Sequence, residues 1–108
     1  MGSIRPLGGF LEIVYKDAFE YEFRKNRILY ERERKYQIQY KDAVLPHFFR
    51  ADAVLLNRII LEIKVREGSL AVEDLVQTIN HLKCSRCKIG LILNFGKMRL
   101  QIRRVIFY

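Results

Sequence analysis

Asp52, Glu62 and Lys64 are the residues of this chain whose types and spacing best suit chemistry. Glu62 and Lys64 lie in the apolar run 58–65, where side chains alternate between faces, so the two share one face. A strand this apolar is normally buried on both faces, and an ionisable pair inside it costs free energy unless its charge is compensated. Two nearby carboxylates repel each other, which raises a pKa or recruits a cation, and their hard oxygens suit Mg²⁺ or Mn²⁺. A structural salt bridge of Glu62 with Lys64 or Arg50 is the alternative.

The register of one hairpin decides whether the two carboxylates meet. The segments 47–56 and 58–65 are typical of its two strands, joined near Asn57. An odd loop centred on Asn57 places Asp52 directly across from Glu62, whereas an even loop sends the two to opposite faces. We predict the odd loop, and we therefore expect both carboxylates and Lys64 to meet in one pocket.

The other predicted elements surround this hairpin. Their order is helix, three strands, helix, two strands, which predicts an α/β fold with a mixed sheet flanked by helices. The pattern leaves open whether several polar residues on the two helices are functional. Glu12 shares a face with Phe19. Gln77 and His81 lie on one side of the second helix with Asp74, which is also the pattern of a solvated face. The predicted elements are a helix over 10–25, an extended segment over 28–40, a turn at Lys41 and Asp42, the hairpin, a helix opening at Ser69 with the stripe Val72, Leu75, Val76, Ile79 and Leu82, a buried strand over 89–95 and a last strand over 98–108.

Composition limits the class of protein. The chain has 108 residues, half of them hydrophobic, which predicts one domain with its own core. Its formal charge of +8 predicts attraction to polyanions, with nucleic acid favoured over an anionic membrane. No run approaches the length of a membrane span and the N-terminus carries no apolar signal region, so we expect a cytoplasmic protein without a membrane partner.

Basic residues cluster in two regions that we expect to contact phosphate. One cluster includes Arg32, Arg34 and Lys35, and tyrosines that are able to stack on bases lie among them. The other includes Lys97 and Arg99 near the C-terminus. The alternative for any single member is an ordinary solvated surface.

The only two cysteines form the pattern Cys84-Ser-Arg-Cys87, which His81 extends. A structural zinc ion requires four ligands, and no fourth lies nearby in sequence. A redox pair is expected at the start of a helix that follows a strand, whereas this pair follows a helix. We expect two reduced cysteines.

These residues, taken in order, resemble the PD-(D/E)XK nuclease superfamily, and within it the small group of GxxExxY proteins. The motif of that group reads Gly9-Phe-Leu-Glu12-Ile-Val-Tyr15, and Arg50-Ala-Asp52 precedes Ile60-Leu-Glu62-Ile-Lys64. Gln77 stands where the group has the glutamine of its second helix, and the resemblance continues through 90–95 to 107. A lone D…ExK arises often by chance, but all these elements in this order are a strong signal.

The resemblance implies a restriction-endonuclease-like core and a Mg²⁺- or Mn²⁺-dependent phosphodiesterase, acting on DNA more than RNA. Asp52, Glu62 and the backbone carbonyl of Ile63 would hold the metal ion, with Glu12 binding it directly or through water. Lys64 would orient or help to deprotonate the attacking water, and Gln77 would hold Lys64 or a phosphate.

The chain departs from the group at two places. Its members usually have another helix ahead of the glycines, so we expect the chain to lack that helix. His81 stands where the group commonly has tyrosine; it remains able to donate a hydrogen bond to phosphate.

A nucleic-acid-binding module with little or no turnover is the alternative function, and a scaffold that acts through partner contacts is a third. A homodimer is compatible with a nuclease that cuts both strands of a duplex.

Overall fold

The computed structural model describes residues 12–96 and 100–107. The order of its elements is the one that the sequence predicts, and the α/β class is confirmed. Within the described residues no helix is long and apolar enough to cross a membrane. The elements are α1 (Glu12–Lys25), β1 (Tyr30–Tyr40), β2 (Ala43–Leu55), β3 (Ile59–Lys64), α2 (Val72–Ser85), β4 (Ile89–Asn94) and β5 (Gln101–Ile106).

The strands form one mixed sheet in the order β1-β2-β3-β4-β5. Neighbouring strands are antiparallel except β3 and β4, which run parallel from the pair Ile59↔Ile89 to the pair Lys64↔Asn94. Parallel neighbours need a long crossover, and α2 provides it. The crossover fixes α2 against the end of β3 that carries Glu62 and Lys64.

Two apolar clusters cover the two faces of the sheet. The α1-side core contains Tyr15, Phe19 and Phe23 of α1 packed on Leu61 and Ile63 of β3, together with Ala53, Leu55, Leu93 and Phe95. The α2-side core contains Ala51, Val54, Ile60, Leu82 and Cys87. The alternation predicted for β3 is therefore confirmed, because Leu61 and Ile63 belong to one core and Ile60 to the other.

The hairpin between β2 and β3 has the predicted loop. Leu55 pairs with Ile59, and the ladder continues to Ala53↔Leu61. Three residues centred on Asn57 connect the strands, and Leu56 and Asn57 both adopt positive φ values, 56° and 55°. Continued by one position, this register faces Asp52 toward Glu62.

At Asp52 the side chains of β2 change from one face of the sheet to the other. Ala53 packs in the α1-side core, yet Ala51, two residues away, packs in the α2-side core, although a regular strand would keep both on one face. On the neighbouring strand Glu33, between the pairs Arg32↔Ala53 and Arg34↔Ala51, has a left-handed φ of 58°. This twist takes Asp52 out of the regular alternation.

The second strand is longer than predicted at its outer end. β2 begins at Ala43, four residues earlier than expected, and runs through Pro46. The register with β1 shifts between Gln37 and Gln39, and such a bulge accommodates a proline that cannot donate to the ladder. The turn predicted at Lys41 and Asp42 is confirmed.

The second helix differs most from its prediction. It begins at Val72 rather than at Ser69, and Asp74 accepts a hydrogen bond of 2.9 Å from the backbone N–H of Ala71. The predicted apolar stripe was partly wrong, because Val72 is 70% exposed while Asp74 is 2% exposed. Thr78 comes close to the sheet because Gly90 has no side chain; a Cβ there would lie 2.7 Å from Thr78 Cγ2. Small and polar residues therefore face the sheet where aliphatic ones were expected.

Candidate metal and phosphate site

Asp52 lies at the point where β2 leaves its ladder with β3. Its Oδ2 accepts a hydrogen bond of 2.7 Å from the backbone N–H of Ile63. The carboxylate therefore bonds a backbone group of β3 just beyond the last pair of the ladder between β2 and β3. Its Oδ1 forms an ion pair of 2.9 Å with Lys16 Nζ on α1. Both carboxylate oxygens are thus engaged, and the side chain of Asp52 is 13% exposed.

Lys16 links α1 to both strands of the twist. Besides Asp52, its ammonium contacts Glu33 Oε1 at 3.3 Å, and the Lys16 side chain is 17% exposed. Sequence reasoning missed Lys16 and Glu33. The available signal for Lys16 was its position four residues after Glu12, which places the two on one face of α1. Glu33 gave no signal, because nothing in an alternating strand marks a left-handed residue.

Glu62 points to the other side of the sheet, toward α2. It is 5% exposed, and its Oε1 lies 2.7 Å from His81 Nδ1. Burial raises the pKa of Glu62 and the charge of Asp52 adds to that rise, while the hydrogen bond from His81 opposes it. The imidazole of His81 also stacks on Phe49, with ring centroids 3.9 Å apart. His81, predicted as a phosphate donor, is thus held by Glu62 and Phe49.

Lys64 and Gln77 are brought together as the sequence predicts. Lys64 Nζ donates to Gln77 Oε1 at 3.3 Å, which links the end of β3 to α2. Glu12 is the first residue of α1 and is exposed. Partial burial of its carboxyl group raises the pKa of Glu12, and so does the charge of Asp52, while Lys16 and Lys64 lower it.

The charge of Asp52 acts on the other two carboxylates, but the three do not form one metal-binding pocket. The charge of Asp52 raises the pKa of Glu12 and also that of Glu62, so Asp52 lies close enough to act on both. Across residues 12–96 and 100–107, however, no three His, Cys, Asp or Glu side chains are grouped closely enough to hold a metal ion. Asp52, Glu62 and Lys64 each have a separate polar partner, so the single pocket that we expected from the register is not present in this arrangement.

The donor chemistry of the site still fits a hard cation. Four carboxylates, those of Glu12, Glu33, Asp52 and Glu62, stand against the two ammonium groups of Lys16 and Lys64. Hard oxygens in excess over positive charge suit Mg²⁺ or Mn²⁺. In this arrangement Lys16 supplies the positive charge at Asp52. Ile63 was predicted to contribute its carbonyl; the structure shows its N–H orienting Asp52.

The residues that we predicted to contact phosphate lie in different surroundings. Arg32 is engaged with α1, 2.6 Å from Asp17 Oδ1 and 3.3 Å from Glu20 Oε2. Arg34 lies 3.6 Å from Glu31 and over the ring of Tyr36, whereas Lys35 is exposed and lies over the ring of Phe48. Lys97 and Arg99 lie outside the described residues.

The two cysteines lie in different surroundings. Both are free thiols; Cys87 is buried in the α2-side core, and Cys84 is half-buried at the end of α2.

Comparisons with known proteins now identify the family. The model of the PD-(D/E)XK nuclease superfamily matches residues 4–105. The chain belongs to the PD-(D/E)XK nuclease superfamily. Asp52 and the Glu62-Ile63-Lys64 run lie inside the matched region, on the adjacent strands β2 and β3.

A solved structure has a similar fold. The structure titled "Crystal structure of SSO0001" aligns with a TM-score of 0.65 at 17% sequence identity, over 87% of this chain. The alignment covers 48% of the other chain, so the protein spans about half the length of that relative. At this identity the likeness concerns the fold alone. No curated protein matches the chain.

Proposed function

We propose that the protein is a divalent-metal-dependent nuclease that hydrolyses phosphodiester bonds, with DNA favoured over RNA. The observation that carries the proposal is the placement of Asp52, Glu62 and Lys64 where three elements meet in a member of a nuclease superfamily. The motif from Gly9 to Tyr15 supports a closer relationship to the GxxExxY proteins. Cytoplasmic location and a homodimer belong to the same proposal.

The proposed metal ligands are Asp52, Glu62, Glu12 and the carbonyl of Ile63. A divalent cation, when bound there, polarises a phosphoryl oxygen and makes water more acidic. Asp52 is already oriented by the N–H of Ile63, so one of its oxygens is fixed in direction. Its other oxygen becomes a ligand once Lys16 moves away. His81 holds Oε1 of Glu62, so Oε2 is the oxygen that would bind the cation.

Lys64 is the proposed proton-handling residue. Gln77 holds its Nζ, so the ammonium is oriented rather than free to rotate through solvent. From that position Lys64 donates a hydrogen bond to the reacting phosphate and offsets the negative charge that develops there. The excess of basic residues attracts the polyanion before it reaches the site.

A nucleic-acid-binding module with little or no turnover is the second candidate. The observation that favours it is the separate pairing of Asp52 with Lys16 and of Glu62 with His81. Such pairs neutralise the acids without any metal ion. The two candidates differ in whether a divalent cation displaces Lys16.

The deciding experiment incubates labelled single-stranded and duplex DNA and RNA with the protein and Mg²⁺ or Mn²⁺. Asp52→Asn keeps the acceptor for the N–H of Ile63 but loses the charge, and Lys64→Met removes the ammonium. We expect both to lower the rate of cleavage by at least about 100-fold, since each removes a group that acts in the transition state. Asp42→Asn, in the exposed hairpin turn, is the matched control and should cleave normally. Equal cleavage by Asp52→Asn and the wild type would refute the nuclease assignment.

A further inference from the structure

An open cavity of about 840 Å³ lies between α2 and the outer half of the β1–β2 hairpin. Its volume falls in the range of ligand sites in proteins. Apolar side chains form its walls, and amides and charged groups stand among them. The walls include Ile38 and Phe49 of the hairpin and Val72 and Val76 of α2, and the amides are those of Gln39, Gln77 and Asn80.

The two valines are left outside the protein core. Val72 is 70% exposed and Val76 is 49% exposed, while α2 packs on the sheet through Thr78 and Leu82. Spaced four residues apart, the valines lie one above the other on the same face of the helix. They therefore form an apolar wall that no described part of the chain covers.

The cavity adjoins the proposed catalytic site, because two of its lining residues contact that site. Gln77 holds Lys64 at 3.3 Å, and His81 contacts Glu62 at 2.7 Å. A phosphate held near Lys64 would therefore lie close to Gln77 in the cavity wall. The group next to that phosphate along a nucleic-acid strand is a nucleoside.

We propose that this cavity receives an unpaired nucleobase of a DNA strand whose phosphate lies near Lys64, so that the protein selects single-stranded regions. The inference rests on the proposed function for the position of that phosphate. A nucleobase has apolar faces and a polar edge, which the aliphatic walls and the amides of Gln77 and Asn80 match. A base inside a duplex is stacked and paired, so it is unable to enter. The charge of +8 favours a polyanion over an uncharged apolar partner.

The test measures binding without cleavage, in EDTA at low salt. Fluorescence anisotropy follows a labelled single-stranded DNA oligonucleotide, its blunt duplex, and the RNA strand of the same sequence. Val76→Glu places a charge on the cavity wall. Ile102→Glu is the control, because it makes the same charge change at a position that is 60% exposed. Ile102 pairs with Leu93 of the α1-side core, so its side chain lies on the other side of the sheet.

We expect Val76→Glu to lose about 10-fold more single-strand affinity than Ile102→Glu, since placing one base is worth that order of free energy. Duplex affinity should fall equally in the two variants. Val72→Glu, at a still more exposed position, should repeat the effect and excludes misfolding as its cause. The RNA arm shows whether the cavity discriminates the sugar.

Equal loss in both variants, or wild-type binding as tight to duplex as to single strand, would overturn the nucleobase site. If the wild type binds none of the oligonucleotides, the site is also overturned, and an apolar protein surface or a second copy of the chain becomes the occupant. Single-strand preference that depends on Val76, together with no metal-dependent cleavage, would leave the nucleobase site standing and refute the nuclease.

Discussion

Replacing Lys16 with methionine tests how the site balances its charge. Lys16 Nζ lies 2.9 Å from Asp52 Oδ1, and both side chains are mostly buried. At an effective dielectric constant of about 20, charges at that distance attract by about 6 kcal/mol before desolvation is subtracted. Desolvation and side-chain ordering leave about 1–3 kcal/mol as the net effect. Methionine keeps the aliphatic stem and removes only the charge.

If Lys16 competes with a divalent cation for Asp52, the Lys16→Met protein should bind Mn²⁺ about 10- to 100-fold more tightly than the wild type, since each tenfold corresponds to about 1.4 kcal/mol. Without metal it should be less stable by about 1–3 kcal/mol, because Asp52 loses its counter-charge. Titration calorimetry with Mn²⁺ measures the first effect, and urea unfolding in EDTA measures the second.

Lys25→Met is the matched control, since Lys25 is exposed on the last turn of the same helix. It should change neither quantity appreciably. A folded Lys16→Met protein with unchanged or weaker Mn²⁺ binding would show that Lys16 supports the metal site instead of competing for it. If neither protein binds Mn²⁺, the metal-dependent nuclease itself is refuted.

Two further predictions concern the fold around the site. Because burial raises the pKa of Glu62, the folded state holds its proton more tightly than the unfolded chain, so this group lowers stability as pH rises above its ordinary pKa of 4.5. Relative to the wild type, Glu62→Gln should therefore gain stability as pH rises above 4.5 in EDTA. A difference in melting temperature that does not change with pH would contradict the cause given for the shift. Gly90→Ala should destabilise the protein by about 1–3 kcal/mol in urea unfolding, because its Cβ would meet Thr78 Cγ2 at 2.7 Å. Thr78→Ser in the same background should restore part of the loss, and no restoration would argue against that contact.

The parts of the fold that the sequence predicted well are set by local pattern. Alternation in the run 58–65 fixes which side chains of β3 face each helix, and both cores confirm it. The odd loop centred on Asn57 was one of two alternatives that the sequence left open, and the pair Leu55↔Ile59 confirms it. The link between Lys64 and Gln77 came from the family resemblance and not from periodicity.

The parts that were not predicted depend on tertiary contacts between distant segments. Val72 lies at the surface and Asp74 in the interior, opposite to what their hydrophobicity predicts. The cause is that Asp74 is held by Arg66 at 2.7 Å and Thr78 fits against Gly90. A periodic pattern records hydrophobicity and not these partners. The ion pair between Lys16 and Asp52 likewise joins residues far apart in sequence, which spacing alone does not bring together.

The twist at Glu33 and Asp52 explains why a correct register did not yield the expected cage. With regular strands, Asp52 would face the same side as Glu62 and their carboxylates would converge. The change of face between Ala51 and Ala53 instead directs Asp52 toward Lys16 on α1, while Glu62 contacts His81 on α2. A left-handed non-glycine residue such as Glu33 costs about 1–3 kcal/mol and persists only where its surroundings hold it. Lys16 contacts both Glu33 and Asp52, so one ammonium group maintains the strained backbone and neutralises the proposed ligand. Release of Lys16 by a divalent cation would act on both together, which joins metal binding to the geometry of the strand that carries Asp52.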